Sequence, residues 1–184
     1  MPVLIPKEIA DDEILVHYIF DRNFKNKIIS IEKLVSKDIF LPNKGGVSLQ
    51  RNFYCKESKC KEFAKGVAIG KVYIGFIVFR KSHFEKVKQN YILNERKEFE
   101  ADIFSTPLDE HFQYLPKEME VYLDTPGNPA HADLIYENPA LKENESPNTA
   151  IRSFSRKLSK DCKLIIDSSP LSDSFDDDEF KKVV

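Results

Sequence analysis

The residues whose arrangement points most directly to chemistry lie between Thr125 and Tyr136, where a Pro/Gly turn leads into His131 and an apolar run. Pro126 and Pro129 fix φ while Gly127 permits φ > 0, so the backbone reaching His131 is held with little freedom. Asp133 alternates with His131 and shares its side of a strand, and Ala130 and Ala132 leave space beside them. A second imidazole, His17, sits next to Tyr18 in the run ILVHYIF. A sheet that paired the two strands would bring the rings together for general acid–base work near neutral pH. The alternative is a pair of hydrogen-bonded structural histidines.

Other chemistries lack their residues. The chain has no phosphate-binding glycine loop, no dinucleotide-binding glycine fingerprint, no His-Glu-x-x-His pair and no nucleophile elbow. Cys55-x4-Cys60 is a close cysteine pair, but tetrahedral zinc would need two more ligands, for which His83 and Cys162 are distant candidates. Cys60 also falls on an apolar helix stripe, where a thiol behaves as a small hydrophobe, so no metal is assigned and the cofactor is left unknown.

The elements that must position these groups can be read from hydropathy. Residues 1–13 read as an arm, Ile14–Phe20 as a strand, and 28–36 as a strand or a short helix. A turn at 42–46 precedes Val47–Tyr54, which alternates at period two in its first half and carries Ser48 and Arg51. Glu57 to about Lys65 reads as a helix with Cys60, Phe63 and Ala64 on its stripe. Val72–Phe79 is apolar without alternation, which predicts a strand covered on both faces. Residues 82–100 read as one exposed helix or two short pieces, 106–116 as a loop, and 118–124 and 131–136 as strands joined by Pro126–Pro129. A polar linker over 138–147 then leads to a helix with Ile151, Phe154 and Leu158 at i, i+3, i+7, and Cys162–Ile166 completes the sheet. The fold expected is a single α+β domain over 14–166, with a mixed or mostly antiparallel sheet of about five to seven strands and two or three helices.

The net charge of −2 conceals a sorting of charge along the chain, with 10 Lys/Arg against 3 Asp/Glu in residues 51–90 and 4 against 13 in residues 91–150. A basic 51–90 face would suit nucleic acid or an acidic partner, although lysines beside edges and helices are commonly solvating. Residues 167–184 hold 6 acids and 2 lysines and read as a disordered acidic tail, with Phe175 and Phe180 as anchors for a protein partner, in trans or on the chain's own basic region. Three cysteines, no secretory pattern and no apolar run near the roughly 20 residues of a bilayer span predict a cytoplasmic protein without a membrane partner.

His17 and Tyr18 in an early strand, a Gly-Gly turn and VSLQR over 47–51 are similar in order to the opening of small ADP-ribosyltransferase-like domains. That resemblance implies His17 and Ser48 orienting a nicotinamide dinucleotide, with Tyr18 among the ligand contacts, and Arg51 on the pyrophosphate. His131 or Asp133 would act on the acceptor, at the place where those families usually carry a glutamate. Two functions are therefore expected from the sequence. The first is an interaction or accessory protein using a charge-polarised surface and acidic tail, and the second is a nucleotide-directed transferase or hydrolase.

Overall fold

The computed structural model describes residues 1–21, 39–41, 46–93, 99–137 and 149–184. The runs rich in β-branched and aromatic residues become strands, as their propensity requires. These are Ile14–Phe20 (β1), Val47–Arg51 (β2), Tyr73–Arg80 (β3), Glu100–Ser105 (β4), His131–Glu137 (β5) and Lys163–Ile166 (β6). They form one antiparallel sheet in the order β4-β5-β2-β1-β3-β6. With helices Glu57–Gly66 (α1), Lys81–Lys88 (α2), Thr149–Lys160 (α3) and Glu179–Val183 (α4), the chain is a single α+β domain. No helix among the described residues is long and apolar enough to cross a membrane.

Alternation sorts each strand's side chains onto two faces. One face buries Leu15, Ile19, Leu49, Ile77, Phe79 and Leu134 against Phe84 of α2 and against Ile151, Phe154 and Leu158 of α3. The other buries Val16, Tyr73, Phe76 and Val78 against Cys60 and Ala64 of α1. β3 contributes to both clusters, which accounts for its unbroken apolarity. Gly75 of β3 is a close-approach position, since a Cβ there would lie 2.0 Å from the carbonyl oxygen of Ile165 in β6.

Several boundaries differ from those expected. Residues 118–124 do not enter the sheet; they pair over a few residues with the N-terminal segment, through Ile5 N–H to Val121 C=O and Leu123 N–H to Val3 C=O, both 2.8 Å. The hairpin partner of β5 is β4, whose alternating Ala101 and Ile103 escape a reading that merges it with the charged stretch before it. The 28–36 and 138–147 segments and most of the 42–46 turn lie outside the described residues.

The larger correction concerns both ends, which are packed rather than free. Arg51 has no exposed surface and directs five hydrogen bonds inward. Two grip the Glu13 carboxylate at 2.8 and 2.7 Å, and the others reach Pro6 C=O, Glu8 C=O and Ser105 Oγ. Residues 5–13 are thereby docked, with Ile5 and Ile9 buried. Lys61 of α1 plays the same part for the other end, its buried Nζ meeting Asp167 Oδ2 at 2.8 Å, Ser169 C=O at 2.7 Å, Ser174 C=O at 2.8 Å and Ser172 Oγ at 3.2 Å. Asp177 accepts the Ser58 N–H at the start of α1, and the rings of Phe175 and Phe180 lie edge-on to Phe76 at 5.4 and 4.9 Å. The acidic tail is therefore a folded segment, because its aromatics complete an apolar face and its carbonyls solvate a buried ammonium.

Phe180 is fully buried, so Phe180→Ala should lower the unfolding free energy by about 3–5 kcal/mol in urea denaturation. An unchanged midpoint would mean that the C-terminal segment does not pack.

Candidate functional site

The structure divides the expected site residues between two faces. His17 lies with Leu15 and Ile19 on the α2/α3 face, its ring 5.8 Å from Phe40 and its Nδ1 2.8 Å from Ser48 C=O. Arg51 pairs in register with Leu15 on that same side, and its donors are committed to Glu13 and the N-terminal carbonyls. Ser48 and Gln50 of β2 face Asp133 and His131 of β5 in register, on the opposite side. The constellation His17, Ser48, Arg51 and His131 consequently does not assemble, and Arg51 cannot bind a pyrophosphate without abandoning Glu13. The two histidines are separated by the sheet itself.

Tyr18, Ser48, His131 and Asp133 do share one face, and Tyr18, His131 and Asp133 belong to a hydrogen-bonded polar layer there. Tyr18 OH donates to Gln50 Oε1 at 3.0 Å, and Gln50 exchanges two bonds with Asn128 at 2.7 and 2.9 Å. Asp133 Oδ2 accepts from Thr106 Oγ1 at 2.9 Å and from Tyr114 OH at 3.0 Å, while His131 Nδ1 lies 2.8 Å from Thr106 C=O. A carbonyl can only accept, so Nδ1 carries the proton in the neutral ring and Nε2 keeps its lone pair. Gln50, Asn128, Thr106 and Tyr114 are members that sequence reasoning missed, the first two at its centre. The signal for those two was faint: a polar residue at an inward position of β2, and the Asn between two prolines.

This layer braces a long excursion between β4 and β5. Leu108 and Asn128 exchange backbone hydrogen bonds at 3.0 and 2.9 Å, and Gly127 (φ 98°) lies so close to Leu108 and Asp109 that a Cβ would meet backbone atoms at 2.4 and 2.5 Å. The turn read from Pro126–Pro129 thus exists, and it aims Asn128 and His131 inward. At the tip, Asp109 Oδ1 accepts the N–H groups of His111 at 2.7 Å and Gln113 at 2.9 Å, and Phe112 adopts φ 60°. Those backbone donors, Gln113 foremost, hold the Asp109 carboxyl below its ordinary range. Phe112 and Tyr114 are 60% and 65% exposed, and Met119, Leu123, Val3 and Leu4 are also exposed. Residues 106–124 carry five acids and one lysine.

The basic 51–90 stretch offers less than its composition implied. Arg51 and Lys61 are buried, Lys65 pairs with Asp173, and Lys81 and Lys88 pair with Glu85 and Asp102. Tyr73, Phe76, Phe79 and Phe84 are core residues, which removes them as base-stacking platforms. Cys55 and Cys60 touch at 3.5 Å, whereas the S–H of Cys162 and the His83 ring both meet Leu158 C=O on the other side of the sheet. No group of three metal-binding side chains occurs among the described residues. Comparisons with protein-family models, with curated proteins and with solved structures find no match.

Burial pushes both His17 and His131 below the ordinary imidazole value of 6.5; for His131 the Asp133 charge and the Thr106 carbonyl oppose the shift without reversing it. The unfolded chain therefore binds more protons below that value, so this contribution to stability is complete above it and is lost as pH falls. Unfolding free energy should decline between about pH 7 and about pH 5, and His131→Gln should flatten the decline. A slope unaffected by the substitution would contradict the assignment.

Proposed function

We propose that this chain is a small intracellular interaction or accessory protein that binds a macromolecular partner through the acid-rich loop of residues 106–124. The observation that carries this reading is the exposure of Phe112 and Tyr114 on a backbone pinned by Asp109, Leu108 and Asn128. The Tyr114 hydroxyl is anchored on Asp133 while its ring and that of Phe112 stay exposed, and rings held on a rigid support lose little entropy when a partner covers them. Asp109, Glu110, Glu118, Glu120 and Asp124 around them favour a cationic protein surface with an apolar socket. The same acids repel phosphate, so nucleic acid and anionic lipid fit this surface poorly. The C-terminal acidic segment enters this reading in cis, because Phe175 and Phe180 face the chain's own β3. Three free thiols accord with a reducing, cytoplasmic setting.

Affinity capture with the full chain and with a Phe112→Ala variant, which leaves the Tyr114–Asp133 hydrogen bond in place, tests the proposal. Truncating hot-spot aromatics costs roughly 2 kcal/mol or more, about 30-fold in affinity, so basic proteins retained by the parent should be lost from the variant while its thermal unfolding is unchanged. Equal capture by both proteins, or recovery of nucleic acid instead, would refute it.

A further inference from the structure

Cys55 and Cys60 sit where β2 gives way to α1, both as free thiols, with the Cys60 S–H directed at Cys55 Sγ 3.5 Å away. Bonded sulfurs lie about 2.05 Å apart, so closure needs about 1.5 Å of movement between residues five positions apart. Nothing in the sheet has to move to allow it. The surroundings are not those of inert core thiols. Asn52 Oδ1 and Glu57 Oε1 are buried acceptors without hydrogen-bond partners among the described residues; Asn52 Nδ2 donates to Cys55 C=O at 3.0 Å, and Glu57 precedes Cys60 by about one helical turn.

We propose that Cys55 and Cys60 form a reversible disulfide, a thiol-modification site that takes its oxidising equivalents from a low-molecular-weight disulfide of the glutathione class. Cys55 is 6% exposed and Cys60 is 0% exposed, so Cys55 supplies the attacking sulfur and Cys60 the resolving one. In the first step Cys55 Sγ attacks one sulfur of oxidised glutathione, forming a mixed disulfide and expelling one glutathione thiolate. Cys60 Sγ then attacks Cys55 Sγ, the mixed disulfide breaks, and the second glutathione leaves. Two protein thiols lose two electrons, the reagent's disulfide gains them, and the two protons released end on the two departing thiolates. Glu57, with one carboxylate oxygen unpartnered, is the acceptor at hand for the Cys60 proton in transit. Burial, together with the hydrogen bond to Cys55, pushes the Cys60 thiol well up, which suits a sulfur that reacts second.

The location links this chemistry to the C-terminal segment. Asp177 accepts hydrogen bonds from the N–H and Oγ of Ser58, between the two cysteines, and Phe180 belongs to the same apolar cluster as both thiols. Cys162, whose S–H meets Leu158 C=O on the other side of the sheet, provides an internal comparison.

The test is incubation of the folded full-length chain with oxidised glutathione, followed by acid quenching, alkylation and peptide mapping. The parent chain should yield a Cys55–Cys60 bond with no glutathione retained on either cysteine, whereas partly exposed Cys162 should be found free or glutathionylated but in no internal bond. Cys60→Ser should abolish the internal bond and retain glutathione on Cys55; Cys55→Ser should retain none on Cys60. Failure of the bond to form in the folded parent chain, its appearance only after unfolding in urea, a lasting glutathione adduct on Cys55 of the parent, or a bond that joins Cys162 to either of the others would each overturn the proposal. None of these outcomes depends on a partner for the 106–124 loop.

Discussion

Taking a guanidinium or an ammonium out of water costs several kcal/mol per ion unless its donors all find acceptors. Among the described residues the chain buries one of each, Arg51 at the end of β2 and Lys61 in the middle of α1. The backbones of strands and helices have few oxygens to offer, since their carbonyls are engaged in ladders and turns. Apart from Ser105 Oγ at the end of β4, the acceptors come instead from the two ends of the chain: Pro6, Glu8 and Glu13 for Arg51, and Asp167, Ser169, Ser172 and Ser174 for Lys61. The ends are thus conditions of the fold, and removing either set would strand a cation or force its surroundings open to water.

That constraint decides what the protein leaves exposed. With residues 167–184 laid across α1 and β3, the face that would have offered a basic, aromatic surface is closed. The neighbouring part of the same sheet face, over β2 and β5, is held by the layer of Tyr18, Gln50, Asn128, His131 and Asp133, which ties the long β4–β5 loop in place. The loop in turn carries outward the most exposed aromatics among the described residues, Phe112 and Tyr114. Charge sorted along the sequence therefore ends as an acidic projection, with the opposing cations largely consumed inside or in pairs.

Much of the architecture was legible because it rests on periodicity. The doubly covered β3, the α3 stripe of Ile151, Phe154 and Leu158, and the Pro/Gly turn before His131 all follow from local rules that the tertiary structure respects. What escaped was whatever depends on a distant partner. Nothing local distinguishes Arg51 or Lys61 from a solvated cation, because their acceptors lie 38 to 54 and 106 to 113 residues away. Acidic composition likewise hid the packing of Phe175 and Phe180, since a two-ring anchor is invisible to a count of charges. The site reading failed for a related reason: alternation places each residue on a face of its own strand, but only the register shows that His17 and His131 look in opposite directions.

Native-state hydrogen exchange, resolved by residue, addresses the account most directly. Ile5 N–H donates to Val121 C=O, Asp167 N–H to Ile74 C=O and Ser169 N–H to Asp167 Oδ1. If the buried cations make both ends part of one cooperative body, these amides should exchange with opening free energies close to those of β1 and β3, and should lose protection together with them as denaturant rises. Exchange of the terminal amides at unprotected rates, with β1 and β3 still fully protected, would show that the ends are appendages and that Arg51 and Lys61 are stabilised in some other way.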